Sequence, residues 1–462
     1  MAANNLFQVT NLVLKGELVD YVAQLKTAMM ARPYKKFDMN ATQGATINEL
    51  FPYKWNVNDG LTFDPATQVN NTIDKEQPIT LGATLLSTGT KLSANSPFSL
   101  SGYDMSFFSH ATTVDEFRSY YQQTNGMQIA DNLNQKTIEA CYEYWCDVEG
   151  SPTADFNGFA SLQEINSMIS SMELMKSGGR GEMCVGLHPD AFYQMQVPYA
   201  GYFNQNVNAP MLKTANTNYQ AGLNIYDDNL IQRHQNGSFA TSGTVQVAST
   251  VANGTLNASY QTIALKGFSN SSTGVLLAGD ILTFGVAGNY VNRLLPIGKQ
   301  DSGRRKGFVV LSDDTGNPVV SSDGSGLATI RVRCIPIFRT GAEPNPYANI
   351  SRQIITNDVV NLFGGANTMW TKNLVFSRAG FFFANPEIAT YPLLPNQAGA
   401  KLSAFPYEQT EKVIVPNTGG MSLALNIANS GDMGAFSNLW CLRSIIGVLP
   451  FENYGFIYAS KA

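Results

Sequence analysis

Apolar residues recur at helical spacing in three stretches and alternate like strands over most of the rest of the chain. Residues 11–32 carry Leu18, Val22, Leu25 and Met29 on one face, which predicts an amphipathic helix stopped by Pro33 and the cationic Tyr34-Lys35-Lys36. Such a helix either packs on its own core or reaches as an arm to a neighbour, and the pattern leaves both open. The strongest helical stretch is 113–147, where Val114, Phe117, Tyr121, Ile129, Leu133, Cys141 and Trp145 trace one stripe. Thr113 and Glu116 form a capping box at its start, and Gly126 marks a bend. At full length it would span about 50 Å, too long for a small core. A third helix is predicted over 160–176, with Leu162, Ile165, Ile169, Met172 and Met175. A turn, Ser177-Gly178-Gly179-Arg180-Gly181, and a buried strand, Met183-Cys184-Val185-Gly186-Leu187, follow it.

Strand patterns fill the remaining segments. Runs over 46–55 and 91–108 flank a middle rich in Gly, Asn and Pro, which reads as a long extended hairpin. Two strands alone bury little surface and are marginal in water, so this hairpin calls for a partner. From about residue 233 to 339 the chain is nearly all β. Short runs such as Thr244-Val245-Gln246-Val247 and Phe308-Val309-Val310-Leu311 are separated by Gly, Asn, Asp and Ser clusters, the mark of a small barrel or sandwich. The mixed pattern returns after Pro344-Asn345-Pro346, so the β block reads as an insertion; long strands occupy the C-terminal part from Met421.

Composition narrows the function. Of 462 residues, 14% are charged, against roughly 25% in typical soluble proteins, while 44% are hydrophobic. Asn, Thr, Ser, Gly and Gln replace the missing charge. That suits a subunit whose surface is largely covered by other subunits, because charge is depleted at interface centres; fibres and adhesins share the bias. A net charge of −5 argues against gripping nucleic acid through its phosphates, yet allows DNA to be enclosed without sticking. Cys141, Cys146, Cys184, Cys334 and Cys441 are odd in number and scattered, which predicts free thiols in a reducing cytoplasm. No secretion signal is expected from the first residues, and no apolar run is long enough to cross a bilayer.

No catalytic, metal or cofactor site emerges, and the chain reads as a non-enzyme. Gly274 and Gly279 have phosphate-loop spacing, but Asp280 stands where Lys is required, so that Gly-Asp reads as a turn. His110, His188 and His234 lie outside metal-ligand spacing of one another. Asp313-Asp314-Thr315-Gly316-Asn317 lacks the downstream Glu of a calcium loop and reads as a type I turn. One charged cluster stands out in the β block, Lys299-Gln300-Asp301-Ser302-Gly303-Arg304-Arg305-Lys306. Its plain reading is a solvated loop. Its sharper reading is an intersubunit tab, in which Lys299, Asp301, Arg304, Arg305 and Lys306 pair with an acidic patch on a neighbour.

The order of these elements resembles the tailed-phage major capsid fold, an α+β architecture. More narrowly, it resembles coat proteins of short-tailed Salmonella phages that carry an inserted small β-barrel domain. The residues behind this are Ala278-Gly279-Asp280-Ile281-Leu282-Thr283-Phe284, Pro346-Tyr347-Ala348-Asn349-Ile350, and the stretch from Gly431-Asp432 through Leu439 to Gly447-Val448. The resemblance implies an N-terminal arm (1–36), an extended loop (37–112), a spine helix of the peripheral domain (113–150) and a first axial part (151–232). The inserted barrel (233–346), a second axial and peripheral part (347–420) and C-terminal strands (421–462) follow. It further implies a virion subunit assembled in the host cytoplasm, in hexamers and pentamers of an icosahedral head around double-stranded DNA. A scaffolding protein and a portal would be assembly partners, with later expansion, no specific DNA recognition and no membrane. The family's insertion has a charged loop early on, whereas residues 239–249 carry no charge. A β-rich fibre or adhesin is the alternative; the long helix and the lack of repeats stand against it.

Overall fold

The computed structural model describes residues 14–33, 45–50, 76–101, 125–174, 183–200, 219–220, 222–255, 258–296, 300–338, 347–386, 407–415, 419–429 and 437–462. Its body is a mixed sheet built around Met369–Ser377. That strand pairs antiparallel with Gly455–Lys461 along its length, and with Met183–Leu187 and Arg233–Gln235 at its two ends. Leu223–Asp227 extends the sheet in parallel beside Met183–Leu187, and Val148–Gly150 does so beside Gly455–Lys461.

Strict alternation explains why both faces of this sheet are dry. Met183, Val185, Leu187, Val375, Phe456 and Tyr458 point to one side, where the helices Gly158–Ser171 and Pro189–Ala200 cover them with Leu162, Ile165, Ile169 and Met195. Cys184, Leu374, Phe376 and Ile457 point to the other, into the main core. A period of two places successive residues on opposite faces, so a strand covered on both sides must be apolar almost throughout.

The main core is organised by the helix Asn125–Tyr144, which buries Ile129, Leu133, Ile138 and Cys141. It lies against a four-stranded antiparallel sheet, in the order Tyr407–Val415, Gly419–Asn429, Ser437–Ile445 and Ser93–Ser101. The predicted start of this helix at Thr113 lies outside the described residues. Gly126 sits in its first described turn, and the bend expected there falls against residues outside the described ones. There its N–H donates to the Glu17 carboxylate at 2.5 Å, and a Cβ would sit 2.3 Å from the Glu17 backbone oxygen. The N-terminal segment is helical over 14–24 and again over Lys26–Met29, and Leu14, Leu18, Tyr21, Leu25 and Ala28 join the main core. Of the two readings left open for it, packing on its own core describes these residues.

The expected hairpin pairs differently. Thr46–Leu50 runs antiparallel to Glu76–Thr80, with Thr46 opposite Thr80 and Leu50 opposite Glu76. The later run, expected to close the hairpin, instead supplies Ser93–Ser101 as an edge of the four-stranded sheet, paired with Ser437–Ile445. The intervening residues 51–75 lie outside the described ones.

The β block forms an antiparallel barrel. Its strands run in the order Thr241–Val247, Gln261–Phe268, Leu327–Val332, Phe308–Asp313, Ile281–Val286 and Val360–Leu362. A bridge between Gln246 and Val359, with Val247 N–H on Asp358 O at 2.9 Å, closes the ring. Phe268, Leu282, Phe284, Phe308, Val310 and Ile330 fill it, with Phe284 edge-on to Phe308 at 5.1 Å. The barrel thus takes its last strand from beyond the expected boundary at 346. Three residues are too few to show periodicity; only closure of the sheet reveals them.

Candidate functional site

The groups that invite a functional reading are charges buried where the barrel meets the body. Asp147 follows the long helix and is 1% exposed; Arg293 and Lys306, from the barrel block, are 2% and 0% exposed. Asp147 accepts hydrogen bonds from Arg293, from Lys306 Nζ at 3.0 Å and from Gly307 N–H at 3.3 Å. Lys306 also pairs with Glu452 at 2.7 Å, whose carboxylate takes the Cys334 thiol at 3.0 Å. Two cations face two carboxylates, so the buried charge cancels. Burial pushes the Asp147 carboxyl up, but Arg293 and Lys306 outweigh it and hold it below the usual carboxylate range. Glu452 behaves in the same way, with Lys306 overcoming burial. Burial pulls Lys306 down, but Asp147, Cys334 and Glu452 more than restore it, so it stays cationic.

A second buried cluster lies where the chain enters the barrel. Asp280, fully buried, accepts Leu277 N–H at 2.8 Å and Gly237 N–H at 3.2 Å, and its other oxygen meets His234 Nε2 at 2.8 Å. Lys372, on the central body strand, donates to Gly279 O at 2.6 Å and lies 5.4 Å from the ring centres of Tyr142 and Trp370. Gly279 adopts φ +94°, and a Cβ there would sit 2.8 Å from Lys372 Nζ, so both the turn and the approach of the lysine require glycine.

The five residues singled out from the sequence part company here. Lys299 lies outside the described residues. Lys306 is sealed inside the chain, out of reach of any neighbour. Arg304 is half-buried, pairs with Glu149 and donates to Ser167 Oγ at 3.0 Å. A partly exposed pair of this kind contributes about 0–1 kcal/mol, and burial still raises the Glu149 carboxyl despite Arg304. Of the four described residues, only Asp301 and Arg305 face solvent. Asp301 accepts Asn292 Nδ2 at 2.9 Å, and the Arg305 guanidinium stacks 3.8 Å from the Tyr290 ring centre. Neither a solvated loop nor an intersubunit tab describes Lys306, because an alternating strand, Asp301–Arg305, leads straight into the buried Lys306-Gly307-Phe308.

Sequence reasoning missed Asp147, Arg293, Glu452 and Lys372. The available signal was a charge set within an apolar run, as in Trp370-Thr371-Lys372-Asn373-Leu374. The turns were legible: Asp280 N–H closes on Leu277 O at 3.0 Å, and Asp313 Oδ1 accepts Thr315 and Asn317 N–H at 2.9 and 2.8 Å. His188 precedes the helix Pro189–Ala200 and accepts Asp190 N–H at 3.3 Å, a structural role. Among the described residues no three His, Cys, Asp or Glu side chains form a metal-holding group, and no helix is long and apolar enough to cross a membrane. Chemically, both clusters join: they hold the inserted barrel to the sheet through charges shielded from water.

No protein-family model matches the sequence, and no curated protein does. Among solved structures the chain is similar to the capsid of Ralstonia phage GP4, with 6% identity over 94% of this chain and 87% of that one, and a TM-score of 0.37. It is similar also to the capsid of cyanophage P-SCSP1u (9% identity, 94% and 87% covered, TM-score 0.34) and to a structure from Mycobacterium phage Che8 (7% identity, 90% and 85% covered, TM-score 0.34).

Proposed function

We propose that this chain is a non-enzymatic coat subunit of a tailed-phage type, assembling in many copies into an icosahedral head around double-stranded DNA. The observation that carries the reading is the order of elements along the chain. A helical N-terminal segment, a long helix, a sheet interrupted by a β-barrel and long C-terminal strands follow one another along the chain, an order that supports the reading. The low charge density supports it, since a subunit covered by its copies needs few solvating charges. The helix Asn125–Tyr144 weighs against an all-β fibre. Hexamers and pentamers, a scaffolding protein, a portal, expansion and assembly in the host cytoplasm belong to this proposal.

The test is expression of the full chain with the neighbouring genes of its own genome, followed by negative-stain electron microscopy. Closed shells are expected, and spirals or aberrant shells when the scaffold gene is left out. Uniform small particles with no polymer under any condition would overturn the coat reading in favour of a binding module. Within the same assay, Arg305→Ala combined with Asp301→Ala should lower the yield of closed shells while circular dichroism stays unchanged. These are the exposed members of the charged cluster, and complementary charge sets register between subunits. Unaltered shell yield would remove the intersubunit role from both residues.

A further inference from the structure

We infer that the buried cluster of His234, Asp280 and Lys372 is a proton-operated latch, which holds the barrel on the body while His234 is neutral and loosens it when His234 takes up a proton. The argument begins with counting charge. One buried carboxylate, Asp280, faces two basic groups, His234 Nε2 at 2.8 Å and Lys372, whose Nζ reaches the adjacent Gly279 carbonyl at 2.6 Å. A single carboxylate neutralises one cation. A second positive charge in the same dry space finds no partner, and an unpaired buried charge is costly.

Among the described residues, the elements packed around His234 supply no other counter-charge. From the long helix comes Tyr142, whose hydroxyl donates to Lys372 O at 2.8 Å and accepts Gln232 N–H. From the body strand come Lys372 and Trp370, the latter edge-on to the imidazole at 5.9 Å with its indole N–H on Asn236 Oδ1. On its own strand, Arg233 turns away to Asp190 at 2.5 Å. Glu139 and Asp228 bear on Tyr142, not on the imidazole. The cluster joins three parts of the chain: the entry strand Arg233–Gln235, the barrel turn at Gly279 and Asp280, and the body strand Met369–Ser377. Protonating it therefore acts on the joint itself.

The protonation order agrees with the geometry. Burial, then Lys372, brings the His234 pKa from 6.5 down to about 4, against the opposing pull of Asp280. Burial brings Lys372 from 10.5 to about 7. For a base whose folded pKa is depressed, stability is full above the unfolded pKa and falls as pH drops toward the folded one. Lys372 is half-protonated near pH 7 and mostly protonated by about pH 6.5, so between about 6.5 and about 4 the joint responds chiefly to His234.

Hydrogen exchange on the full chain, corrected for the intrinsic pH dependence of exchange, tests this over residues 274–284 and 369–377. In the wild type, opening should increase by up to roughly tenfold per pH unit between 6.5 and 4, the limit for one coupled proton. His234→Gln keeps an N–H for Asp280 without a titrating group, and should flatten the slope. Lys372→Met leaves Asp280 free to pair with a protonated His234, and should flatten it from the other side. If His234→Gln fails to fold, Lys372→Met alone decides. A wild-type slope retained in a folded variant would overturn the latch. The result is independent of shell assembly, so failure of the coat reading leaves it standing.

Discussion

Asp147→Asn is expected to destabilise the isolated subunit by about 3–5 kcal/mol, because it leaves Arg293 and Lys306 buried with too little negative charge between them. Asn fills the same volume but carries no charge, and Glu452 alone then faces two cations. The loss far exceeds what a surface pair would give, since neither cation can turn to water. Urea unfolding of the unassembled chain at pH 7 reads it as a lower midpoint at unchanged slope. The pH dependence has a definite sign. Asp147 and Glu452 have folded pKa values below the ordinary carboxylate range. Their contribution is therefore complete above about pH 4, and disappears as pH falls from there through the folded values. Asp147→Asn should remove part of that acid dependence. A variant within 1 kcal/mol of wild type at pH 7 would show that the joint relaxes enough to hydrate its cations.

Trp145→Ala is expected to cost a similar amount, about 3–5 kcal/mol, for a different reason: it opens a cavity where the end of the long helix meets the body sheet. The indole is fully buried, stacks on Phe376 at 5.0 Å, meets Phe381 edge-on at 5.7 Å and donates its N–H to Phe451 O at 3.2 Å. Gly455 lies against it so closely that a Cβ there would stand 2.4 Å from the ring, so neighbouring backbone has been fitted to this side chain. A rigid strand pair cannot collapse into the vacated space, which places the substitution at the high end of its class. Thermal unfolding and near-ultraviolet circular dichroism check it. A loss below 1 kcal/mol would mean the residues after the long helix do not anchor the body.

The candidate joint was legible only in fragments. Lys306 drew notice as part of a charge run, yet sequence proximity grouped it with Arg304 and Arg305, whereas the fold sends the three to different places. Arg304 reaches Glu149, Arg305 lies over Tyr290, and Lys306 passes inward to Asp147 and Glu452. Their partners stand more than 140 positions away along the chain for Asp147 and Glu452 alike. No local pattern connects residues so separated.

Local chemistry determined the elements. Short apolar runs specified the strands Met183–Leu187, Ile281–Val286 and Phe308–Asp313, and helical stripes read over 113–147 and 160–176 overlap Asn125–Tyr144 and Gly158–Ser171, because such patterns are a property of neighbouring side chains. Tertiary structure decided which strands pair. Ser93–Ser101 found Ser437–Ile445 instead of the hairpin, and Val360–Leu362 closed the barrel. It also decided which charges would be buried. Pairing partners and burial depend on what the rest of the chain brings to the same place, and a sequence read locally carries only one side of each contact.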